Sequence, residues 1–150
     1  MSERFEPEVV VLCCGRSLGD GESLSEETRE GVGFRARLVM MPCTSKVEVG
    51  HLLRLIEHGA DGVVVVGCPE RQCQFLVGSS RAQNRVNQAR TLLSEAGMGR
   101  ERLVMVRRQG VAFEDIMALA EERAGAVGPL GRNPMKAPRS EEHTSELQSR

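Results

Sequence analysis

Apolar and polar positions alternate along the chain in blocks that switch between two periods. Glu8-Val-Val-Val-Leu-Cys13 is a short β-branched apolar run after Pro7. That is the pattern of a strand buried on both faces. Arg37-Leu-Val-Met-Met-Pro42, Val63-Val-Val-Val-Gly67 and Arg102-Leu-Val-Met-Val106 repeat it. Between these runs the period lengthens to that of a helix. Ser45-Lys-Val-Glu48 reads as a capping box, and Val49, Leu52, Leu53 and Ile56 form an apolar face that Gly59 closes. Ser79 or Ser80 caps a longer helix carrying Ala82, Val86, Ala89, Leu92 and Leu93, ended by Gly97. A last helix spans Ala112 to Arg123, with Phe113, Ile116, Met117 and Ala120 inward. Residues 15–33, with five glycines, read mostly as loop, and Ser23-Leu-Ser-Glu26 offers a cap for one short helix. Asp61, in Ala60-Asp-Gly62, reads as turn chemistry.

Strands alternating with helices imply a parallel sheet with helices on both faces. The predicted fold is α/β: one three-layer domain with a parallel sheet of four strands, or five, flavodoxin-like or Rossmann-like. In the flavodoxin-like order 2-1-3-4 the first predicted strand lies between the second and the third.

Length and composition narrow the class. The chain has 150 residues, enough for one domain, with 40% hydrophobic and 27% charged residues. No apolar run approaches the roughly 18 residues of a transmembrane helix, and the acidic start Met-Ser-Glu-Arg-Phe-Glu-Pro-Glu is no signal peptide. A cytoplasmic protein without membrane insertion is expected. The net charge of −1 and the absence of Trp and Tyr argue against a nucleic-acid platform. Residues 1–124 form the expected domain, and the Gly- and Pro-rich stretch 125–138 reads as a linker or a truncated C-terminus. Residues 139–150, RSEEHTSELQSR, resemble a translated sequencing-adapter read and are set aside, His143 with them.

The five cysteines change the picture. Disulfides are rare in a reducing compartment, where clustered Cys more often mean metal or redox chemistry. Cys13 and Cys14 end the first predicted strand, Cys43 the second and Cys68 the third, with Cys73 in the loop that follows. All five fall at or just beyond the carboxyl edge of the predicted sheet, where open α/β sheets bind ligands. Strands about 4.8 Å apart put the outer two of three neighbouring ends about 10 Å apart, within reach of one centre. Thiolates select zinc or iron–sulfur clusters. Cys43 precedes the helix expected at Ser45, whose dipole would favour its thiolate. Arg16 and Arg71, in the two Cys loops, are candidates to offset the charge of a Cys-ligated cluster, with plain solvent exposure as the alternative.

Other chemistry lacks its motif. There is no C-x₅-R phosphatase loop, no G-x-x-x-x-G-K-[ST], no G-x-G-x-x-G and no C-x-x-C. His51 and His58 read as surface residues.

The segment from His51 to Cys73, with Gly-Ala-Asp-Gly-Val-Val-Val-Val-Gly-Cys-x₄-Cys at its end, resembles the delta (iron–sulfur) subunit of methyl-viologen-reducing hydrogenase, which partners heterodisulfide reductase. Cys43 some 25 residues earlier, Cys13 or Cys14, Gly78-x-x-Arg81-Ala82-x-x-Arg85-Val86 and Gly99-Arg-Glu-Arg102-Leu103 extend the resemblance from about Val9 to Glu122. Two positions depart from it: Arg16 stands where the family has the second Cys of a C-x-x-C, and the Cys68–Cys73 loop reads Pro-Glu-Arg-Gln. The resemblance implies a 2Fe–2S cluster held by Cys43, Cys68, Cys73 and either Cys13 or Cys14. It implies an electron-transfer subunit that transforms no substrate itself. Such a subunit relays electrons between a hydrogenase or formate dehydrogenase and a flavin-containing heterodisulfide-reductase-like protein. Two other classes share the Cys pattern: a zinc-stabilised binding or regulatory module, and a thiol-redox enzyme using Cys68 or Cys73 as nucleophile.

Overall fold

The structure is a computed structural model that describes residues 6–14, 26–41, 47–67, 78–108 and 110–134. Among the described residues five strands, β1 (Glu8–Cys14), β2 (Glu27–Gly31), β3 (Phe34–Met41), β4 (Gly62–Gly67) and β5 (Leu103–Arg107), form one sheet in the order β2-β3-β1-β4-β5. The described α-helices, α1 (Val49–Glu57), α2 (Gly78–Glu95) and α3 (Phe113–Val127), cover it. The pairs β1–β3, β1–β4 and β4–β5 are parallel. Parallel strands need long crossovers: α1 lies on the one from β3 to β4 and α2 on the one from β4 to β5. The four apolar runs thus take the flavodoxin-like order expected of them.

Side-chain alternation along the strands builds two cores. Val10, Leu12, Val63, Val65, Leu103 and Met105 face α1 and α2, meeting Leu52, Ile56, Ala82, Val86 and Leu93. Val9, Val11, Cys13, Val64 and Val66 face α3, meeting Ile116, Leu119, Ala120 and Ala124. Every residue of β4 is buried, which is why its run is unbroken by polar residues. Each fully buried Val or Leu contributes about 1.5–3 kcal/mol.

The fifth strand departs from the expected all-parallel sheet. β2 runs antiparallel to β3 across the Val32-Gly33 turn, within the stretch 15–33 that reads from sequence as loop and short helix. Its sequence, Glu-Thr-Arg-Glu-Gly, has no apolar face because the strand lies at the solvent rim. Gly33 takes a φ of 84°, which the tight turn needs. Gly31 sits under the Phe34 ring, and a Cβ there would fall 2.2 Å from it. Arg35 bonds Glu30 directly across the hairpin at 2.8 Å, and Arg37 bonds Glu26 at 2.6 Å.

Two helix boundaries also move. Glu48, expected as the third residue of a helix capped by Ser45, is instead the extended residue before Val49, with φ −123° and ψ 150°. α3 continues to Val127, beyond the expected Arg123, and the chain turns back through Gly128–Leu130 to bury Asn133. Residues 125–134, Gly-rich enough to read as linker, are thus anchored by Val127 and Asn133. Leu92, one of the apolar residues of the predicted second helix, is 40% exposed.

Asn133 closes a polar network at the amino edge of the sheet. Asp61, read as turn chemistry, is fully buried. Its Oδ2 accepts the Glu8 N–H at 2.9 Å and its Oδ1 accepts the Asn133 N–H at 2.8 Å. The Asn133 Nδ2 donates to the carbonyls of Ile56 and Ala60 at 2.6 and 2.7 Å. Arg102 donates to the carbonyls of Met98, Asp61 and Gly131 at 2.9–3.0 Å. Burial lowers the Arg102 pKa, and the nearby Asp61 charge opposes the fall.

Candidate metal centre

The opposite, carboxyl edge holds the described cysteines. β1 is the middle strand, and Cys13 and Cys14 are its last two residues, aligned with Met40 and Met41 of β3. Both are buried and reduced. They differ in where they point. Cys13 belongs to the α3-side core with Val11, Val66 and Ile116. Its thiol lies 3.6 Å from the Cys14 carbonyl oxygen, which accepts from it. Burial, helped by the neighbouring Cys14, pushes the Cys13 thiol up to about 12. Cys14 follows Leu12 on the alternating strand and turns to the other face.

β3 and β4 flank β1. β3 ends at Met41, two residues before Cys43, and β4 ends at Gly67, the residue before Cys68. The strand ends that lead to Cys43 and Cys68 therefore stand on either side of Cys14, about 10 Å apart by strand spacing. Cys43, Cys68 and Cys73 themselves, and Arg16 and Arg71, lie outside the described residues. Among the described residues no three His, Cys, Asp or Glu side chains gather to hold a metal ion. The helix dipole invoked for Cys43 is displaced, because α1 starts at Val49, six positions on, beyond the single turn over which a dipole acts.

His58 is exposed at the end of α1, and His51 is half-buried in its first turn. One pair of residues at this edge belongs to no motif in the sequence. Arg107 ends β5 in register with Gly67, and the Arg108 N–H donates to the Gly67 carbonyl at 2.8 Å. Two arginines closing an apolar run, Val104-Met-Val-Arg-Arg108, are the sequence signal that marks them.

This is a doubly wound α/β domain whose middle strand ends in cysteines at the edge where such folds bind ligands. Residues 9–131 match the family model described as methyl-viologen-reducing hydrogenase, delta subunit. The chain belongs to that family. It is 31% identical over 133 residues to the vhu iron-sulfur subunit of the F420-non-reducing hydrogenase of Methanocaldococcus jannaschii, covering 89% of this chain and 99% of the relative. It is 27% identical over 133 residues to the iron-sulfur subunit of the F420-non-reducing hydrogenase of Archaeoglobus profundus, covering 87% and 97%. A third relative is a much longer chain. One subunit of the Ferredoxin:CoB-CoM heterodisulfide reductase of Methanosarcina mazei matches at 23% over 128 residues, which is 83% of this chain and 16% of that protein.

Proposed function

We propose that the chain is an electron-transfer subunit that holds a 2Fe–2S cluster at the carboxyl edge of its sheet. It relays electrons between a hydrogenase or formate dehydrogenase and a heterodisulfide-reductase-like flavoprotein. The observation that carries this reading is Cys14 at the end of the middle strand, between the two strands that lead into Cys43 and Cys68. The hydrogenase relatives, named as iron-sulfur subunits, support the cofactor. The match to a 16% segment of a heterodisulfide reductase chain supports the partner, because a module found within that chain is suited to work against it when separate. The five cysteines suit a reducing cytoplasm. No helix among the described residues is long and apolar enough to cross a membrane.

The donor set fits the group. Iron–sulfur clusters take Cys thiolates. Cys14, Cys43, Cys68 and Cys73 are the ligands in this reading, and Cys13 is a core residue. Cys13 fills the layer under α3 beside Val66, so drawing it to a metal would empty that layer. When bound, the cluster supplies one-electron transfer. The chain's own part is to present thiols from separate strand ends, shield them between two helical layers, and tune the centre through charge and hydrogen bonds.

The test is anaerobic preparation of the chain, its visible spectrum, and iron and acid-labile sulfide assays on the same sample. About two irons and two sulfides, bleached by dithionite, are expected. Cys14→Ser, Cys68→Ser and Cys73→Ser should each lose the cluster, while Cys13→Ala keeps it. A colourless chain holding one zinc, still colourless after reconstitution, overturns the reading in favour of a zinc module. Cluster loss in Cys13→Ala with retention in Cys14→Ser reverses the ligand choice.

A further inference from the structure

We propose that Arg107 is a positioning residue that raises the reduction potential of the metal centre by placing a fixed positive charge across the carboxyl edge from Cys14. The inference rests on the iron–sulfur reading above and adds to it a determinant on a strand that carries no cysteine.

The placement follows from two registers and one alternation. On β5, Leu103 and Met105 pack into the core facing α1 and α2. Arg107, two residues further, falls on the same face. On β1, Val10 and Leu12 pack into that core, so Cys14 falls on that face as well. Gly67 aligns with Arg107 across the β4–β5 pair. Cys13 aligns with Val66 across the β1–β4 pair, so the next step brings Cys14 level with Gly67. Cys14, Gly67 and Arg107 thus form one row across three strands, with the outer two about 10 Å apart. The residue between them is glycine, so β4 puts no side chain in the row. The Arg108 N–H bond to the Gly67 carbonyl ties the end of β5 to this row.

The chemistry gives the sign. Arg keeps its charge at any working pH. Arg107 is half-buried, so solvent screens it less than the exposed Arg108. One electron delivered by dithionite makes a thiolate-ligated iron centre more negative by one charge. A cation nearby stabilises that reduced form more than the oxidised one. Alternation turns Arg108 to the other face, where its charge is solvated, so its influence is smaller.

The experiment uses the full chain with its iron and sulfide in place, and a dye-mediated potential titration followed by visible absorption. Arg107→Met keeps the apolar stem and drops the charge, and is expected to shift the potential to more negative values. Arg107→Lys should retain most of the wild-type potential, and Arg108→Gln should shift it less than Arg107→Met does. If Arg107→Met takes up no cluster, Arg107→Gln gives the same comparison. An unchanged potential with an intact cluster, or an equal shift in Arg107→Lys, overturns the role of Arg107 and leaves the cluster reading standing. A wild-type chain that binds no iron and sulfide overturns the cluster reading itself.

Discussion

The two edges of the sheet are built on opposite principles. At the amino edge, Asp61, Arg102 and Asn133 bury their polar groups and direct them to the backbone and to one another, joining the start of β1, the turn before β4 and the chain beyond α3. At the carboxyl edge, the middle strand ends in two thiols, and the last strand ends in Arg107 with Arg108 just after it. The first arrangement can only hold the fold. The second leaves reactive groups at strand ends, where loops can bring them together without disturbing the core. On the proposed function, stability and chemistry are separated by the length of a strand, and mutations at the two edges should show in different measurements.

The sharpest way to break this separation is Asp61→Ala. It removes a carboxylate that accepts two backbone N–H groups and leaves the half-buried Glu8 donor and the buried Asn133 donor without it. Each hydrogen bond to a charged acceptor contributes about 1.5–3 kcal/mol, so a loss of about 3–5 kcal/mol is expected in urea unfolding. Iron bound per folded molecule should stay at the wild-type level. A stability within about 0.5 kcal/mol of wild type would mean that water replaces the network and that the amino edge is no latch.

The carboxyl edge has its own stability signature, a smaller one. The Cys13 thiol is raised from 9.0 to about 12 by burial and by Cys14. Its folded value exceeds its unfolded value, so the folded state holds the proton where the unfolded state has lost it. This stabilisation is fully present below about pH 9 and is lost as pH rises toward 12. The chain has no Tyr, its lysines are Lys46 and Lys136, and the background from all remaining groups is common to wild type and Cys13→Ala. Stability measured from pH 8 to 11 should fall more steeply in wild type than in Cys13→Ala once the shared background is subtracted, because above pH 9 the unfolded chain gives up a proton that folded Cys13 still holds. Parallel slopes would place Cys13 in contact with solvent and weaken its exclusion from the ligand set.

The contrast between edges also explains what the sequence pattern could convey. The four parallel strands are readable because burial on both faces leaves no choice but an apolar run, and strand order follows from alternation with helices. Cys13 and Cys14 are readable as strand-end residues for the same reason. Asp61 is not, because its partner Asn133 is 72 residues away and neither residue departs from ordinary turn composition. Arg107 needs the β4–β5 register before its place opposite Cys14 can be seen. The Ser45 to Glu48 box has the right residues at the right spacing, yet Glu48 is extended and the helix waits for Val49. There the start of the apolar face decides the boundary over the local motif. β2 is hidden for the opposite reason: an edge strand facing water needs no hydrophobic period, and Glu27–Gly31 has none.

That edge strand supplies the smallest and last test. Glu30 and Arg35 face each other directly across the hairpin, both more than half exposed. Such pairs contribute at most about 1 kcal/mol. A double-mutant cycle with Glu30→Gln and Arg35→Gln should return less than that, and the coupling should fade at high salt. The hairpin is held instead by the buried Phe34 ring over Gly31, so Phe34→Ala should cost about 3 kcal/mol or more. If the pair adds so little, its charges need another reason. β2 presents an open edge that another strand could join, and alternating Glu and Arg make that pairing unfavourable. Replacing Glu27, Arg29 and Glu30 together by Thr should leave the unfolding midpoint nearly unchanged and raise self-association in sedimentation. A variant that associates no more than wild type would show that the edge is protected by its shortness, with charge irrelevant to it.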